Sequence, residues 1–277
     1  MQFTKYNGLG NDFVFLDEQT ALSVKNPTVL AQKMCDRRLG IGADGLVLLL
    51  PSARADVRMR IINSDGSEAE MCGNASRCVP LHLYRRGMCK NKKISLETLA
   101  GIIRTEIIDE SCGLVRVDMG APRLRRTEIP ILGAADDRAV GVPVGACGRT
   151  FFGTALSMGN PHFVVFVEDA ENIPLEQWGP ALETHKLFPR KTNVEFVQVL
   201  NKYAVRMRVW ERGAGVTRAC GTGACAAAVA GVLNNKTAEK ITVKLDGGDL
   251  QIEWPDQQHV WMTGLAQEVF TGDYIDL

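Results

Sequence analysis

The sequence Val-Arg-Met-Arg occupies residues 57–60 and recurs at residues 205–208. A Cys-Gly pair follows each copy at the same distance, beginning at Cys72 and at Cys220. Two weaker matches keep nearly the same spacing: residues 10–14 with 159–163, and residues 94–101 with 241–248. A near-constant spacing over most of the chain predicts two copies of one supersecondary design, and therefore a pseudo-dimer rather than a solenoid.

Each copy mixes short apolar strands with helices, which predicts an α+β fold with two pseudo-symmetric domains. In the first copy the patterns predict strands at 12–17, 46–50, 57–62, 94–98 and 102–108, and helices at 27–37 and 73–86. In the second copy they predict strands at 163–167, 194–199, 203–210, 241–245 and 250–254, and helices at 175–185 and 221–233.

The junction between the copies falls at the Met-Gly-Ala-Pro sequence of residues 119–122. We expect a first domain made of residues 1–118 plus 266–277 and a second domain made of residues 119–265, each with one of the repeated cysteines. The last residues lie beyond the second copy, so we expect them to return and pair with the first domain. The active site is expected in the cleft between the domains.

The helix predicted after each repeated cysteine should be the central element of its domain. After Cys220 the helix is apolar on every side, and such a helix is buried all round. A β-barrel-like sheet around a central buried helix is therefore expected in each copy. The helix after Cys72 contains Pro80, which predicts a kink or an early end.

Composition excludes several classes of protein. Hydrophobic residues make up 45% and charged residues 23%, and the 32 basic side chains balance the 32 acidic ones. Neither nucleic acid nor a membrane surface is favoured as a partner, and no apolar run approaches the roughly 20 residues of a membrane span. The opening residues lack the pattern of a secretory signal peptide, so the eight cysteines indicate a reducing, cytoplasmic setting.

The sequence predicts neither a metal nor a cofactor. No Cys-x-x-Cys pair occurs, although structural zinc sites use such close spacing. Residues 40–45 read Gly-x-Gly-x-x-Gly, but a dinucleotide-binding loop follows a strand and opens a helix. Here the predicted order is reversed, with a helix before the loop and a strand after it.

Cys72 and Cys220 are the strongest candidates for catalysis. Each precedes Gly at a predicted helix start, where free N–H groups and the helix dipole bind an anion such as a carboxylate. The same field should lower the pKa of each thiol toward neutrality. Two opposed thiols predict proton removal from one face of an α-carbon and proton return to the other, with one sulfur as general base and one as general acid.

Other polar residues follow the same strands and turns. Arg212 could hold a second carboxylate through two hydrogen bonds, and Glu211 could hold an ammonium group, or the two could form a simple surface pair. Asn11 and Asn160 each follow Gly in matching positions, where they either donate amides to the ligand or form turns. His162 either orients a thiol or an amine, or is structural.

Along its whole length the chain resembles the diaminopimelate epimerase family. The motifs that carry the resemblance are Asn-Gly-Leu-Gly-Asn-Asp-Phe at 7–13, Asn-x-Asp-Gly-Ser at 63–67, Glu-Met-Cys-Gly-Asn at 70–74, Ser-Met-Gly-Asn-Pro-His at 157–162, Glu-Arg-Gly-Ala-Gly at 211–215, and Ala-Cys-Gly-Thr-Gly-Ala-Cys at 219–225.

The resemblance implies a cofactor-independent isomerase of lysine and peptidoglycan biosynthesis, a cytoplasmic homodimer that interconverts LL- and meso-diaminopimelate. It implies that Cys72 and Cys220 form the base and acid pair, assisted by His162 and Glu211. The implied ligands of the reacting carboxylate are Gly73, Asn74, Gly221 and Thr222. The other implied substrate-binding residues are Asn11, Asn63, Asn160, Asn193, Glu211 and Arg212.

Two rival functions use the same residues, and some positions depart from the family pattern. One rival is a racemase of proline, hydroxyproline or histidine with the same two-cysteine chemistry. The other is a thiol redox sensor whose cysteines form a switching disulfide.

Val216 stands where the family usually has Glu, and Gly45 stands where some members have a substrate-facing Gln.

Overall fold

The computed structural model describes residues 1–135 and 137–275. The chain divides into two compact units, one formed by Met1–Asp118 with the chain from Thr263 onward and the other by Met119–Met262. Residue 136 of the expected second domain and residues 276 and 277 of the expected first domain lie outside the described residues.

Strands dominate both units. In chain order they are β1 (Gln2–Gly8), β2 (Asn11–Leu16), β3 (Gly45–Leu50), β4 (Val57–Asn63), β5 (Glu68–Ala69), β6 (Lys93–Thr98), β7 (Gly101–Asp109), β8 (Leu114–Asp118), β9 (Ala139–Ala146), β10 (Arg149–Ser157), β11 (Pro161–Phe166), β12 (Asn193–Asn201), β13 (Ala204–Glu211), β14 (Gly215–Val216), β15 (Lys240–Leu245), β16 (Gly248–Glu253), β17 (Trp261–Leu265) and β18 (Gln267–Asp273). The α-helices are α1 (Glu18–Ser23), α2 (Pro27–Cys35), α3 (Gly73–Arg85), α4 (Leu175–Glu183) and α5 (Gly221–Leu233), with short 3₁₀ helices at Arg126–Glu128 and Pro255–Gln257.

The first unit is a mixed sheet that begins with the last strand of the chain. β18 pairs antiparallel with β1, and β1 pairs antiparallel with β2. β2 and β3 are parallel, β3 and β4 antiparallel, and β4 and β6 parallel. β6, β7 and β8 then continue as antiparallel neighbours. The end of the described chain therefore pairs with the first strand of the chain.

The second unit repeats this order of pairings. β9, β10 and β11 are successive antiparallel neighbours. β11 and β12 are parallel, β12 and β13 antiparallel, and β13 and β15 parallel. β15 and β16 close the series as an antiparallel pair. Because parallel and antiparallel steps recur in the same order, the predicted duplicated α+β fold is confirmed.

One long helix lies at the centre of each unit. In the first unit α3 contacts β1, β6, β7, β8 and β18. In the second unit α5 contacts β10, β11, β12, β13, β15 and β16. A helix that reaches strands from one end of a sheet to the other must lie inside its curvature, so each sheet wraps its own helix.

The two central helices are buried by different side chains. The buried part of α5 consists of Gly, Ala, Val and a single Cys, so the strands can approach it closely. α3 buries polar residues as well, among them Arg77 and His82. The early helix end suggested by Pro80 is wrong, because α3 continues to Arg85. Packing inside the sheet outweighs the lost backbone hydrogen bond.

A shorter helix covers the outside of each sheet. α2 begins with Pro27 in its first turn, and the side chain of Asn26 accepts a hydrogen bond from the backbone N–H of Val29 at 3.2 Å. It buries Leu30 and Met34 against β2 and β3 residues in one apolar cluster. α4 packs in the same way, burying its leucines in the apolar cluster of the second unit.

Candidate active site

Cys72 lies where the sequence predicts it, as the residue that precedes the first turn of α3. Its backbone is extended, with φ −139° and ψ 115°, so the chain turns sharply into the helix. The Cys72 carbonyl accepts hydrogen bonds from the backbone N–H and the hydroxyl of Ser76, both at 2.9 Å. The first N–H groups of the helix have no hydrogen-bond partner within it and are free to meet a ligand.

Two amide side chains adjoin the Cys72 thiol. The Asn11 Oδ1 accepts a hydrogen bond from Asn74 Nδ2 at 3.3 Å and lies 3.8 Å from Cys72 Sγ, which donates to it. Asn11 Nδ2 donates to the Asp44 carboxylate at 2.5 Å. Asp44 therefore sets the orientation of the Asn11 amide, with its oxygen toward the thiol. We call Asn11, Cys72, Asn74 and Asn63 the first half-site.

The buried guanidinium of Arg77 supports this arrangement from within α3. Arg77 donates to Asn74 Oδ1 at 2.9 Å and to the Leu265 carbonyl at 3.3 Å. Asn63 lies at the end of β4, where its amide donates to Ser67 Oγ at 3.0 Å. The structure thus brings Asn11 and Asn74 into contact with each other beside Cys72 and places Asn63 as the last residue of β4.

Cys220 is the matching residue of the second unit, at the start of α5. Its Sγ accepts a hydrogen bond from the backbone N–H of Gly223 at 3.3 Å and lies 3.5 Å from Thr222 Oγ1. The side chain is buried, with 6% relative exposure. Cys220, Thr222, Asn160, His162 and Glu211 are called the second half-site below.

A chain of hydrogen bonds connects Thr222 to the interior of the sheet. Asn160 Nδ2 donates to Thr222 Oγ1 at 3.3 Å, and Asn160 Oδ1 lies 3.0 Å from His162 Nε2. The other ring nitrogen, His162 Nδ1, lies 2.6 Å from Glu195 Oε1. Both His162 and Glu195 are fully buried on the neighbouring parallel strands β11 and β12.

Buried acids determine the electrostatics of the second half-site. Burial raises the pKa of Glu211, although its hydrogen bond from the Thr217 hydroxyl opposes the rise. Burial also raises the pKa of the Cys220 thiol well above its usual range, and the carboxyl groups of Glu211 and Glu195 raise it further. The expectation that the helix field lowers this pKa is therefore wrong for Cys220. Desolvation and two nearby carboxyl groups outweigh the N–H groups of the first turn.

Asn193 and Arg212 lie next to each other at the ends of β12 and β13. Asn193 Nδ2 donates to the Pro161 carbonyl at 2.7 Å, and Asn193 Oδ1 accepts the backbone N–H of Arg212 at 2.9 Å. Asn193 is buried, whereas Arg212 is exposed and donates to the Arg190 carbonyl at 3.2 Å. Asn193 therefore positions the chain that presents Arg212 to solvent, where a guanidinium can meet an anionic ligand.

Four residues that form hydrogen bonds with the half-sites had no role in the sequence predictions: Asp44, Arg77, Glu195 and Thr217. Glu195 offered a readable signal, because a lone acid between Val194 and Phe196 occupies an apolar strand. Arg77 offered a weaker one, as a basic residue in a helix predicted to be central. Periodicity alone did not assign either side chain to the buried face.

Two further findings concern the part of the chain that the structure describes. Within residues 1–135 and 137–275, no three His, Cys, Asp or Glu side chains are grouped so as to hold a metal ion. None of the helices in these ranges combines the length and apolar character needed to cross a membrane.

Known proteins of one family match this chain over nearly its whole length. The sequence profile described as diaminopimelate epimerase matches residues 3–125 and 154–269. The diaminopimelate epimerase of Pelotomaculum thermopropionicum is 57% identical over 277 residues, covering 99% of each chain. The chain is thus an isomerase of the epimerase class. Within that class it belongs to the diaminopimelate epimerase family.

Solved structures with much lower identity share the fold. The crystal structure of the Bacillus anthracis phenazine biosynthesis protein of the PhzF family aligns with a TM-score of 0.72 at 16% identity, covering 100% of this chain and 99% of that one. A probable proline racemase from Agrobacterium radiobacter K84 aligns with a TM-score of 0.70 at 17% identity, covering 99% and 92% of the two chains. At such identities the likeness extends to the fold alone.

Proposed function

We propose that this protein converts LL-2,6-diaminopimelate to meso-diaminopimelate by transfer of a proton at one α-carbon. The observation that carries the proposal is the matched pair of cysteines, each preceding the first turn of a central helix in its own copy of the fold. The close likeness to a diaminopimelate epimerase over nearly the whole chain supports the substrate.

In the proposed mechanism Cys72 and Cys220 act on opposite faces of the same α-carbon. The sulfur that begins as thiolate removes the α-proton, and the other sulfur, as a thiol, delivers a proton to the opposite face. The roles exchange in the reverse reaction. The raised pKa of Cys220 keeps a proton on its sulfur when the site is empty, which suits Cys220 to the role of acid at that stage.

The substrate carboxylate is proposed to lie against the first turns of the two central helices. There Gly73, Asn74, Gly221 and Thr222 offer backbone N–H groups and polar side chains. Hydrogen bonds of this kind stabilise the negative charge that moves onto the carboxylate as the carbanion forms. The glycine after each cysteine leaves room for the substrate to approach the backbone.

The remaining site residues are proposed to recognise the substrate. Arg212 is exposed and can hold the distant carboxylate through two hydrogen bonds, while Asn193 maintains the backbone beneath it. We assign the substrate's ammonium group to Glu211, which together with His162 assists proton transfer. The amides of Asn11, Asn63 and Asn160 complete the binding residues.

The setting of the reaction is also part of the proposal. We place the enzyme in the cytoplasm, in the biosynthesis of lysine and of peptidoglycan precursors, as a homodimer that needs no pyridoxal phosphate. The two catalytic domains are proposed to be residues 1–118 with 266–277 and residues 119–265, each with one cysteine.

Neither rival function is favoured. An identity of 57% to a diaminopimelate epimerase, against 17% to a probable proline racemase, favours diaminopimelate as the substrate. Arg212 also suits a substrate with a second carboxylate, which proline lacks. A redox sensor would not require Asn160, His162 and Glu195 to be connected to Thr222 by hydrogen bonds.

The test is an exchange assay in deuterated water with LL-diaminopimelate, L-proline, hydroxyproline and L-histidine. We expect deuterium at the α-carbon and formation of the meso isomer with diaminopimelate only. Exchange with proline or histidine at a greater rate would reassign the substrate. Absence of exchange with every substrate under reducing conditions, together with a reversible Cys72–Cys220 disulfide under oxidation, would instead support the sensor.

A further inference from the structure

A buried acid and a buried histidine face each other in the second unit. Glu195 on β12 and His162 on β11 both have a relative exposure of 0%, and their Oε1 and Nδ1 atoms are 2.6 Å apart. The second carboxyl oxygen, Glu195 Oε2, is buried and accepts no hydrogen bond from any residue that the structure describes. A buried carboxyl group in this position calls for a role, because desolvation makes it costly.

The hydrogen-bond partners determine where the protons of this pair lie. Asn160 Nδ2 donates to Thr222, so the other end of that amide, Oδ1, is an acceptor. His162 Nε2 lies 3.0 Å from this oxygen and must therefore carry a proton. A second proton then lies in the short bond between His162 Nδ1 and Glu195 Oε1, shared by ring and carboxyl group.

The carboxyl group is also close to the reactive sulfur. A methyl group placed on Gly223 would lie 2.9 Å from Glu195 Oε1 and 3.2 Å from Cys220 Sγ. The same Gly223 donates its N–H to that sulfur. Glu195 therefore borders the first turn of α5 at Gly223.

We propose that Glu195 is a positioning residue for the second half-site, acting through His162. Its carboxyl group holds the imidazole with Nε2–H toward Asn160, and this fixes the Asn160 amide so that its NH₂ group faces Thr222 beside Cys220. The proposal deepens the function proposed above and depends on it for the reaction that is measured. Glu195 itself is assigned no contact with the substrate.

The first unit has apolar residues at the two positions that match His162 and Glu195. In the matching pairings of the two sheets, Phe13 stands at the place of His162 and Val47 at the place of Glu195. The amide at the place of Asn160 is Asn11, which is oriented by Asp44 instead. The two units thus orient matching asparagines by different acids, from inside the sheet in one unit and from a loop in the other.

The experiment compares Glu195→Gln with Glu195→Val, the second of which copies the first unit. In Glu195→Gln the new amide can donate to His162 Nδ1 and leave the proton on Nε2, so the ring keeps its orientation although the shared proton is lost. In Glu195→Val the ring loses both its hydrogen-bond partner at Nδ1 and the shared proton. We expect kcat for diaminopimelate to fall about tenfold to a hundredfold in Glu195→Val, as small misplacements near a reacting group do. KM should stay within about threefold, and Glu195→Gln should recover most of kcat.

The second readout is the ¹⁵N spectrum of the His162 ring, assigned by its loss in His162→Asn. The wild-type ring should show a proton on Nε2 and a shared proton at Nδ1, and Glu195→Gln should show Nε2–H with a bare Nδ1. Val197→Ala is the matched control, because Val197 is buried two residues further along β12. It should lower stability and leave kcat and the ring spectrum unchanged.

Several outcomes would overturn the proposal. They are a wild-type ring with Nε2 unprotonated, a wild-type kcat in Glu195→Val, and a Glu195→Gln variant as slow as Glu195→Val. If Glu195→Val does not fold, the ring spectrum and kcat of Glu195→Gln still decide. The wild-type protein could epimerise none of the amino acids while the ring spectra of wild type and Glu195→Gln are as expected. That result would overturn the proposed function but support the positioning of His162 by Glu195.

Discussion

The two half-sites have the same backbone conformation at the cysteine and differ in the polar groups that surround the thiol. Both begin with an extended cysteine before the first turn of a central helix, and both place an asparagine beside that turn. Around Cys72 the neighbouring polar groups include the amides of Asn11 and Asn74. Around Cys220 they include the carboxyl groups of Glu195 and Glu211. Duplication has therefore kept the geometry of a helix start while the chemistry around it diverged.

The divergence extends to the packing of the helices. The second residue after Cys72-Gly73 is Ala75, and the matching residue after Cys220-Gly221 is Gly223. Ala75 is fully buried, and a side chain on Gly223 would meet Glu195 Oε1 at 2.9 Å. The carboxyl group of Glu195 thus lies against the helix position at which the second unit has Gly and the first unit has Ala.

Replacing either repeated cysteine by Ser should have the largest effect. Each of Cys72→Ser and Cys220→Ser should lose epimerisation by about a thousandfold or more, because the serine hydroxyl has a far higher pKa than a thiol. Each variant retains one sulfur, so the two should release the α-hydrogen of LL- and meso-diaminopimelate with opposite preferences. Mass spectra of substrate incubated in deuterated water measure this. Near-normal epimerisation in either variant would exclude a mechanism with two thiols.

Arg212→Lys tests whether the second unit alone carries the charge that recognises the distant carboxylate. Ser64 stands at the matching place of the first unit. Lys keeps the charge and loses the two-pronged hydrogen bond, so we expect kcat/KM to fall about tenfold to a hundredfold with unchanged stability. Steady-state kinetics and a urea titration measure the two quantities. Ser64→Ala is the control in the other unit, and unchanged kinetics of Arg212→Lys would remove Arg212 from the site.

Gly223→Ala tests the packing difference between the helices. The new methyl group should crowd Glu195 and Cys220 and cost about 1–3 kcal/mol of unfolding free energy, partly offset by the better helix propensity of Ala. Adding Glu195→Val copies the first unit at both positions and should recover most of the loss. Urea unfolding of the two single variants and the double variant measures their coupling. Strictly additive effects would show that the residues do not interact.

Glu211→Gln should have the smallest effect of these changes. It should shift the pH dependence of the reactivity of the Cys220 thiol. Burial and, after it, the Glu211 carboxylate raise the pKa of Cys220, so removing that carboxylate should lower the pKa. Alkylation by iodoacetamide follows the thiolate, and its rise at Cys220 should therefore begin at lower pH. Cys72 in the same digest provides the reference, and Glu171→Gln, an exposed acid of the same unit, is the control. An unchanged profile at Cys220 would show that Glu211 exerts no field there.

Some strands escaped prediction for a reason common to both units. β1 and β10 both bury polar side chains, namely Thr4 and Lys5 in β1 and Thr154 and Ser157 in β10. Buried polar residues interrupt the alternation of apolar and polar side chains that marks a strand. The strands with unbroken alternation or continuous apolar sequence, such as β3 and β13, were recognised from sequence with ends within a residue or two.

The sequence by itself determined the duplication, the α+β class and the helix starts at Cys72 and Cys220. These follow from local patterns, namely a repeated motif, apolar periodicity and a glycine after each cysteine. Only the tertiary structure decided that Glu195 and Arg77 point inward and that the pKa of Cys220 rises instead of falling. Burial and the field of neighbouring charges depend on which side chains meet across strands far apart in sequence, and no local pattern contains that information.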